Sequence, residues 1–244
     1  MENLEGKIAL VTGASVRLGR ALALGLARNG CDLILHCHHS RRQAKELQAE
    51  INALGRRAVV LSADLSKSGQ TLRLARDAEK VFGRVDIIVN NAALFWPTPL
   101  EKLTVQELDI FLQVNLKSPY ILSGEIGRRM KRRGWGVIIN LACVSAFRPW
   151  KTHLPYSISK AGLSALTTGL AKVLAPEVRV NAIAPGPVLP PAGMSPAHFK
   201  ALKHTLPLRK TGTPTDVAEA ALYLCQAPFV TGQILCVDGG RSIL

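Results

Sequence analysis

Seven short runs rich in β-branched and other apolar residues recur along the chain: KIALVT, DLILH, AVVLS, DIIVN, GVIIN, VRVNAIA and QILCVD. None carries a regular polar face, so each reads as a strand buried on both sides. Between them lie longer stretches with helical patterning: RLGRALALGLARNG, RRQAKELQAEINALG, GQTLRLARDAEKVFG, TVQELDIFLQVNLKSPYILSGEIGRRMKRRG and PYSISKAGLSALTTGLAKVLAP. Several of these end in Gly, as helices commonly do. Alternation of strand and helix gives right-handed βαβ units and an α/β, doubly wound parallel sheet with helices on both faces. The rhythm breaks at PGPVLPPAGMSPAHFKALKHTLP, Pro185 to Pro207, which is long enough to form a substrate lid at about residues 187–206. No repeat, low-complexity tract or linker divides residues 1–244, which read as a single domain.

The 244 residues suffice for a large core, and 48% hydrophobic with 20% charged residues is a globular balance rather than a disordered one. No apolar run approaches the roughly 18 residues of a membrane span, and the start, MENLEGKIALVTG, is acidic. A cytoplasmic protein without a membrane partner is expected. Cys31, Cys37, Cys143, Cys225 and Cys236 show neither CxxC pairing nor zinc spacing, which suits free thiols in a reducing compartment. The net charge of +14 attracts anions, whether phosphates, an acidic carrier protein or nucleic acid. Its densest cluster, GRRMKRRG at 127–134, ends a helix, where cations complement the dipole. Aromatic interleaving is missing there, so nucleic acid is not an expected partner.

The first unit carries TGASVRLGR, in which Thr12 and Gly13 close the strand and Gly19 falls where a helix begins. Glycines there let a backbone approach a pyrophosphate seated on the free amides of the helix N-terminus. An NAD site offers a carboxylate to the ribose diol after the second strand, yet no acid occurs between Asp32 and Glu46. NADPH is therefore the expected cofactor, with His38, His39, Ser40 and Arg41, and Arg17 from the glycine turn, as donors to its 2′-phosphate. A metal site in His36-Cys37-His38-His39 is not expected, since neighbours on a strand point to opposite faces. Tyr156 and Lys160 stand four apart and share a helix face; a nearby ammonium would lower the phenol pKa and ready Tyr156 for proton transfer.

With TGASVRLG, NNAA at 90–93, Asn115 and YSISK at 156–160, the chain resembles the classical short-chain dehydrogenases/reductases from Lys7 through TGQILCVDGG. The resemblance implies a Rossmann-type fold, a homotetramer and a small-molecule substrate. It places Gly13, Ser15, Arg17 and Leu18 in the first cofactor-binding turn, Asp64 and Leu65 near the adenine, and Asn91, Ala92 and Ala93 along the cofactor. Pro185, Gly186 and Val188 would lie by the nicotinamide, Lys160 would hold its ribose with Tyr156, and Asn115 would position a water of the proton relay. Within the family, Arg17 in place of a glycine, HCHHS after the second strand, and NNAALFWPTPL at 90–100 look most like pteridine reductases. There an aromatic at the position of Phe95 stacks on the pterin, whereas Ala93 departs from the serine often found at its position.

Cys143, thirteen positions before Tyr156, stands where related reductases usually carry Ser and where similar pteridine reductases often carry Asp. A thiol is a weak donor and does neither job well. Ser145, two residues on, would face the same side if the strand continued and could supply the hydroxyl. The leading expectation is an NADPH-dependent reductase of a C=N or C=O bond with a pterin-like substrate. The alternatives are a 3-oxoacyl-carrier-protein reductase docking its acidic carrier on the basic helix end, and a cofactor-binding sensor without turnover.

Overall fold

The structure, a computed structural model describing residues 1–244, holds one parallel sheet of seven strands. The strands are β1 (Ile8–Val11), β2 (Asp32–Cys37), β3 (Ala58–Ser62), β4 (Ile87–Asn90), β5 (Gly136–Leu141), β6 (Val178–Pro185) and β7 (Ile234–Val237). Their spatial order is β3-β2-β1-β4-β5-β6-β7, so the seven apolar runs all became strands. Burial explains why the runs do not alternate with polar positions. Ala9 and Val11 of β1 enter one apolar layer and Ile8 and Leu10 the other; in β5, Val137 and Ile139 face one layer and Ile138 the opposite one.

The first layer is closed by α1 (Arg17–Arg28), α2 (Arg41–Ala53) and α8 (Pro214–Gln226), the second by α3 (Ser68–Phe82), α5 (Ser118–Arg133) and α6 (Leu154–Leu174). The long helix expected over 104–134 is two helices, α4 (Val105–Leu112) and α5, joined by a π turn at Gln113–Lys117. The widened turn accommodates Asn115, whose side chain is wholly buried. Helix α8 escaped the periodicity reading, because its inward positions are mostly small: Ala218, Ala221 and Cys225 beside Val217 and Leu224. Its start was written locally, with Thr213 and Asp216 forming a reciprocal capping box around Pro214. The 187–206 stretch carries α7 (Pro196–Ala201) and a 3₁₀ turn at Leu202–Thr205, ending on the buried Leu206. No helix is long and apolar enough to cross a membrane.

Strand order reverses between β1 and β4, where the connections leave to opposite sides and open a crevice beyond the strand ends. The loops after β1, β4, β5 and β6 all reach that edge.

Candidate active site

The turn after β1 is closely packed against the loop after β4 and against itself. Gly13 has φ +61°, and a Cβ there would stand 3.1 Å from Ala92 Cα. A Cβ on Gly19 would fall 2.0 Å from the Gly13 carbonyl oxygen. Thr12 Oγ1 accepts from the amides of Asn91 and Ala92, both at 3.0 Å, and Asn91 Nδ2 donates to the carbonyls of Thr12 (2.8 Å) and Gly13 (3.1 Å). Asn91 thus braces the glycine turn with its side chain. Helix α1 opens at Val16 without a side-chain cap or an acid in its first turn, and the buried Ser15 Oγ has no hydrogen-bond partner. Free amides and an unpartnered hydroxyl at a helix N-terminus fit a phosphate. Leu18 packs onto the core beneath.

Beyond β2 and β3 stand the groups expected at the ribose and adenine. The Ser40 hydroxyl leads into α2 without capping it, and the rings of His38 and His39 lie 3.6 Å apart. Strand β2 ends at Cys37, so the alternation invoked against a metal does not reach His38 and His39, which face each other. No three His, Cys, Asp or Glu side chains gather to hold a metal ion. His38 Nδ1 is 4.0 Å from Asp64 Oδ1, and Leu65 is buried with its carbonyl accepting from Ser118 Oγ at 2.7 Å. Arg17 differs from expectation. It holds a left-handed φ of +53°, and its Nη2 donates to the Pro190 carbonyl at 2.7 Å, tying the glycine turn to the 187–206 segment rather than to the 38–41 cluster. At the other end, Gly186 passes so close to Asp238 that a Cβ would meet its Cα at 2.6 Å; Pro185 ends β6, and Val188 lies against Gly212.

The catalytic candidates converge around the start of α6. Tyr156 sits near the start of α6, buried among Phe111, Cys143 and Val144. Lys160, one turn on, is buried with its Nζ 5.7 Å from the Tyr156 ring centre, donating to the Leu141 carbonyl at 2.6 Å. Asn115 fixes the loop after β4 to α6: Oδ1 accepts from Leu94 N (2.8 Å), and Nδ2 donates to Leu94 O (3.1 Å) and Ser159 Oγ (3.0 Å). Its side chain is therefore a brace, with all its hydrogen bonds to protein partners. Ala93 belongs to the same loop, which carries Phe95. That ring lies 4.8 Å from Tyr156, nearly perpendicular to it, and stacks on His153 at 4.6 Å and 14°. Trp150 completes an aromatic group around the phenol, 6.3 Å from Tyr156. His153 and Trp150 went unnoticed in the sequence, since nothing in PWKTHLPY marks a ring as facing a cleft.

Two expectations about the acid-base group need correction. Strand β5 stops at Leu141, and Cys143 caps a 3₁₀ turn at Val144–Ala146, its Sγ accepting from Ser145 N at 3.5 Å. Ser145 therefore does not continue a strand face, although its hydroxyl is buried and unpartnered. The Tyr156 phenol is also not lowered by Lys160. Burial pushes it well above its ordinary value, and Cys143 beside it adds to the rise. Burial likewise pulls Lys160 down to about 8, only partly offset by Cys143. Removal from water is the largest cause of both shifts.

That ordering sets the alkaline behaviour. The phenol stays protonated throughout the working range, whereas the Lys160 ammonium is present below about pH 8 and lost above it. Turnover that needs the ammonium is expected to be flat below pH 8 and to fall above it, with the limb absent from residual activity of Lys160→Met. A first descent at pH 10 or higher would assign the limb to Tyr156 instead. Because folding lowers the Lys160 pKa from 10.5 to about 8, this group's contribution to stability is present above pH 10.5 and is lost as the pH falls to 8.

This arrangement, a glycine turn at the strand-order switch with tyrosine and lysine one helical turn apart, defines a dinucleotide-dependent oxidoreductase of the short-chain type. A family model described as "Enoyl-(Acyl carrier protein) reductase" matches residues 13–242. The chain is 32% identical to "Granaticin polyketide synthase putative ketoacyl reductase 2" of Streptomyces violaceoruber, over 98% of each chain. It is 35% identical to "3beta-hydroxysteroid dehydrogenase 1" of Eggerthella lenta, over 99% of this chain and 96% of that one. Among solved structures it superposes with TM-score 0.92 on "FolM Alternative dihydrofolate reductase 1 from Brucella canis complexed with NADP", at 30% identity, covering 100% of this chain and 97% of that one. The chain belongs to the short-chain dehydrogenase/reductase family.

Proposed function

We propose that the protein is an NADPH-dependent reductase of a flat nitrogen heterocycle, saturating a C=N bond of a pterin-like substrate. The observation that carries this reading is Phe95, a partly exposed ring held across the mouth of the cleft at 4.8 Å from the proton-donating Tyr156. Such a ring offers a stacking surface to a planar substrate. The likeness to an NADP-complexed dihydrofolate reductase, and the missing carboxylate after β2, support the cofactor and the substrate class together.

When bound, NADPH supplies the hydride. The chain's own residues do the rest. The glycine turn and Ser15 would bind its phosphates, and His38, His39 and Ser40 would serve the 2′-phosphate. Lys160 would hold the ribose, and Tyr156 would give its proton to the substrate nitrogen. The completeness of this set favours turnover over a cofactor-binding sensor.

A 3-oxoacyl-carrier-protein reductase is the second reading, supported by the ketoacyl reductase among the relatives. The basic end of α5 gives it less support than the sequence suggested. Arg133 and Arg129 face the buried Glu79 at 3.1 and 4.0 Å, and Arg128 pairs with Glu125. Of the four arginines proposed to dock a carrier, only Arg132 is without an ion-pair partner. A homotetramer remains part of the proposal on family grounds.

NADPH oxidation measured against dihydrobiopterin, dihydrofolate, an acetoacetyl thioester and a quinone, with NADH in parallel, tests the reading. Dihydrobiopterin is expected to exceed the thioester in kcat/KM by about tenfold or more, the scale of one good aromatic contact. The reverse order would establish the carrier-protein reading, and equal use of NADH would remove the cofactor assignment.

A further inference from the structure

His36 is a buried imidazole in β2 that none of the roles above uses, and both of its nitrogens are committed. Nδ1 accepts from the Gly13 amide at 3.2 Å, and Nε2 lies 3.0 Å from the Ala63 carbonyl. An amide can only donate and a carbonyl can only accept, so these partners admit one neutral tautomer, with the proton on Nε2. The backbone of the same residue takes the next amide, Ala14 N donating to His36 O at 3.0 Å. The first two amides of the glycine turn thus both end on His36, while Asn91 holds the Gly13 carbonyl from the other side at 3.1 Å. On its far side the ring grips the residue before Asp64.

We propose that His36 is a positioning residue for the dinucleotide: its imidazole holds the Gly13 peptide of the phosphate-binding turn in register with the loop that carries Asp64 and Leu65. The turn has no other side-chain support on that flank, and its shape matters, since the Gly13 carbonyl must remain where only a glycine at 19 leaves it room.

The geometry makes the clamp sensitive to acid. An imidazolium would turn Nδ1 into a donor against the Gly13 amide, and burial brings this change down to about pH 4. The charged groups near the ring are His38, which adds to the lowering, and Asp64, which sits against His38. Both remain in any variant at position 36.

The test is direct NADPH binding by nicotinamide fluorescence between pH 4.5 and 8, without substrate, for the unmodified chain, His36→Asn and His36→Leu. His36→Leu is expected to weaken binding by about tenfold, the scale of one lost buried hydrogen bond. His36→Asn, whose side-chain oxygen falls near the position of Nδ1, is expected to recover most of that loss. Unchanged affinity in His36→Leu, or no recovery in His36→Asn, would overturn the proposal. If His36→Leu does not fold, the tautomer of His36 in the unmodified chain decides. Nitrogen chemical shifts of His36 in the unmodified chain give an independent check, and a proton on Nδ1 at pH 7 would refute the clamp.

Discussion

Replacing Tyr156 by Phe is expected to lower kcat by about 10² to 10⁴ while the variant still binds NADPH, because the change removes one proton donor and little else. The ring would keep its place among Phe95, Phe111 and Trp150, whose contacts are with its faces and edges. Burial holds the phenol far above its ordinary pKa, so at any assay pH it is a neutral donor and no phenolate population complicates the comparison. Steady-state rates on dihydrobiopterin, with NADPH affinity measured separately, decide the matter. Turnover near that of the unmodified chain would remove Tyr156 from the mechanism; loss of NADPH affinity in a folded variant would make it a binding residue instead.

The fold was legible because burial on both faces writes a strand as an unbroken apolar run, and the shortness and β-branched residues of DIIVN or GVIIN favour a strand over a buried helix. Helix α8 was not, since small residues such as Ala218 and Ala221 make a weak apolar stripe even where they pack fully. The π turn at Asn115 was hidden for a different reason. Its signal lies in the partners of one amide, Leu94 and Ser159, which are distant in sequence. Motifs located the candidate site, as TGASVRLG and YSISK come together at the strand-order switch. What they do not encode is the competition between desolvation and charge. Four-residue spacing correctly brought Lys160 near Tyr156, but the sign of the phenol's shift depends on how much water both have lost. Arg17 illustrates the same limit, since its sequence position says that it leaves the turn and not that the Pro190 carbonyl receives it.

Replacing Cys143 by Ser is expected to raise kcat on simple ketones by up to about 10², the worth of one well-placed donor to a developing oxyanion. Cys143 is buried in the same small cluster as Tyr156, so a group at this position adjoins the proton donor. Its sulfur accepts one backbone hydrogen bond, from Ser145 N, and a hydroxyl can keep that bond while donating better than a thiol. Cys143→Asp is expected to act differently. A carboxyl can carry the proton that reduction of a C=N bond consumes, which favours dihydrobiopterin over the ketone, with NADPH affinity little changed. The extended backbone at Cys143, φ −161° and ψ 152°, accepts either replacement without strain, but a carboxylate there must be desolvated among Phe111, Val144 and Tyr156, so thermal unfolding of Cys143→Asp is measured beside its kinetics. Kinetics of both variants on a ketone and on dihydrobiopterin test the assignment: if neither variant changes the ratio of the two rates, position 143 does not touch the reacting group, and the buried, unpartnered hydroxyl of Ser145 becomes the residue to replace next.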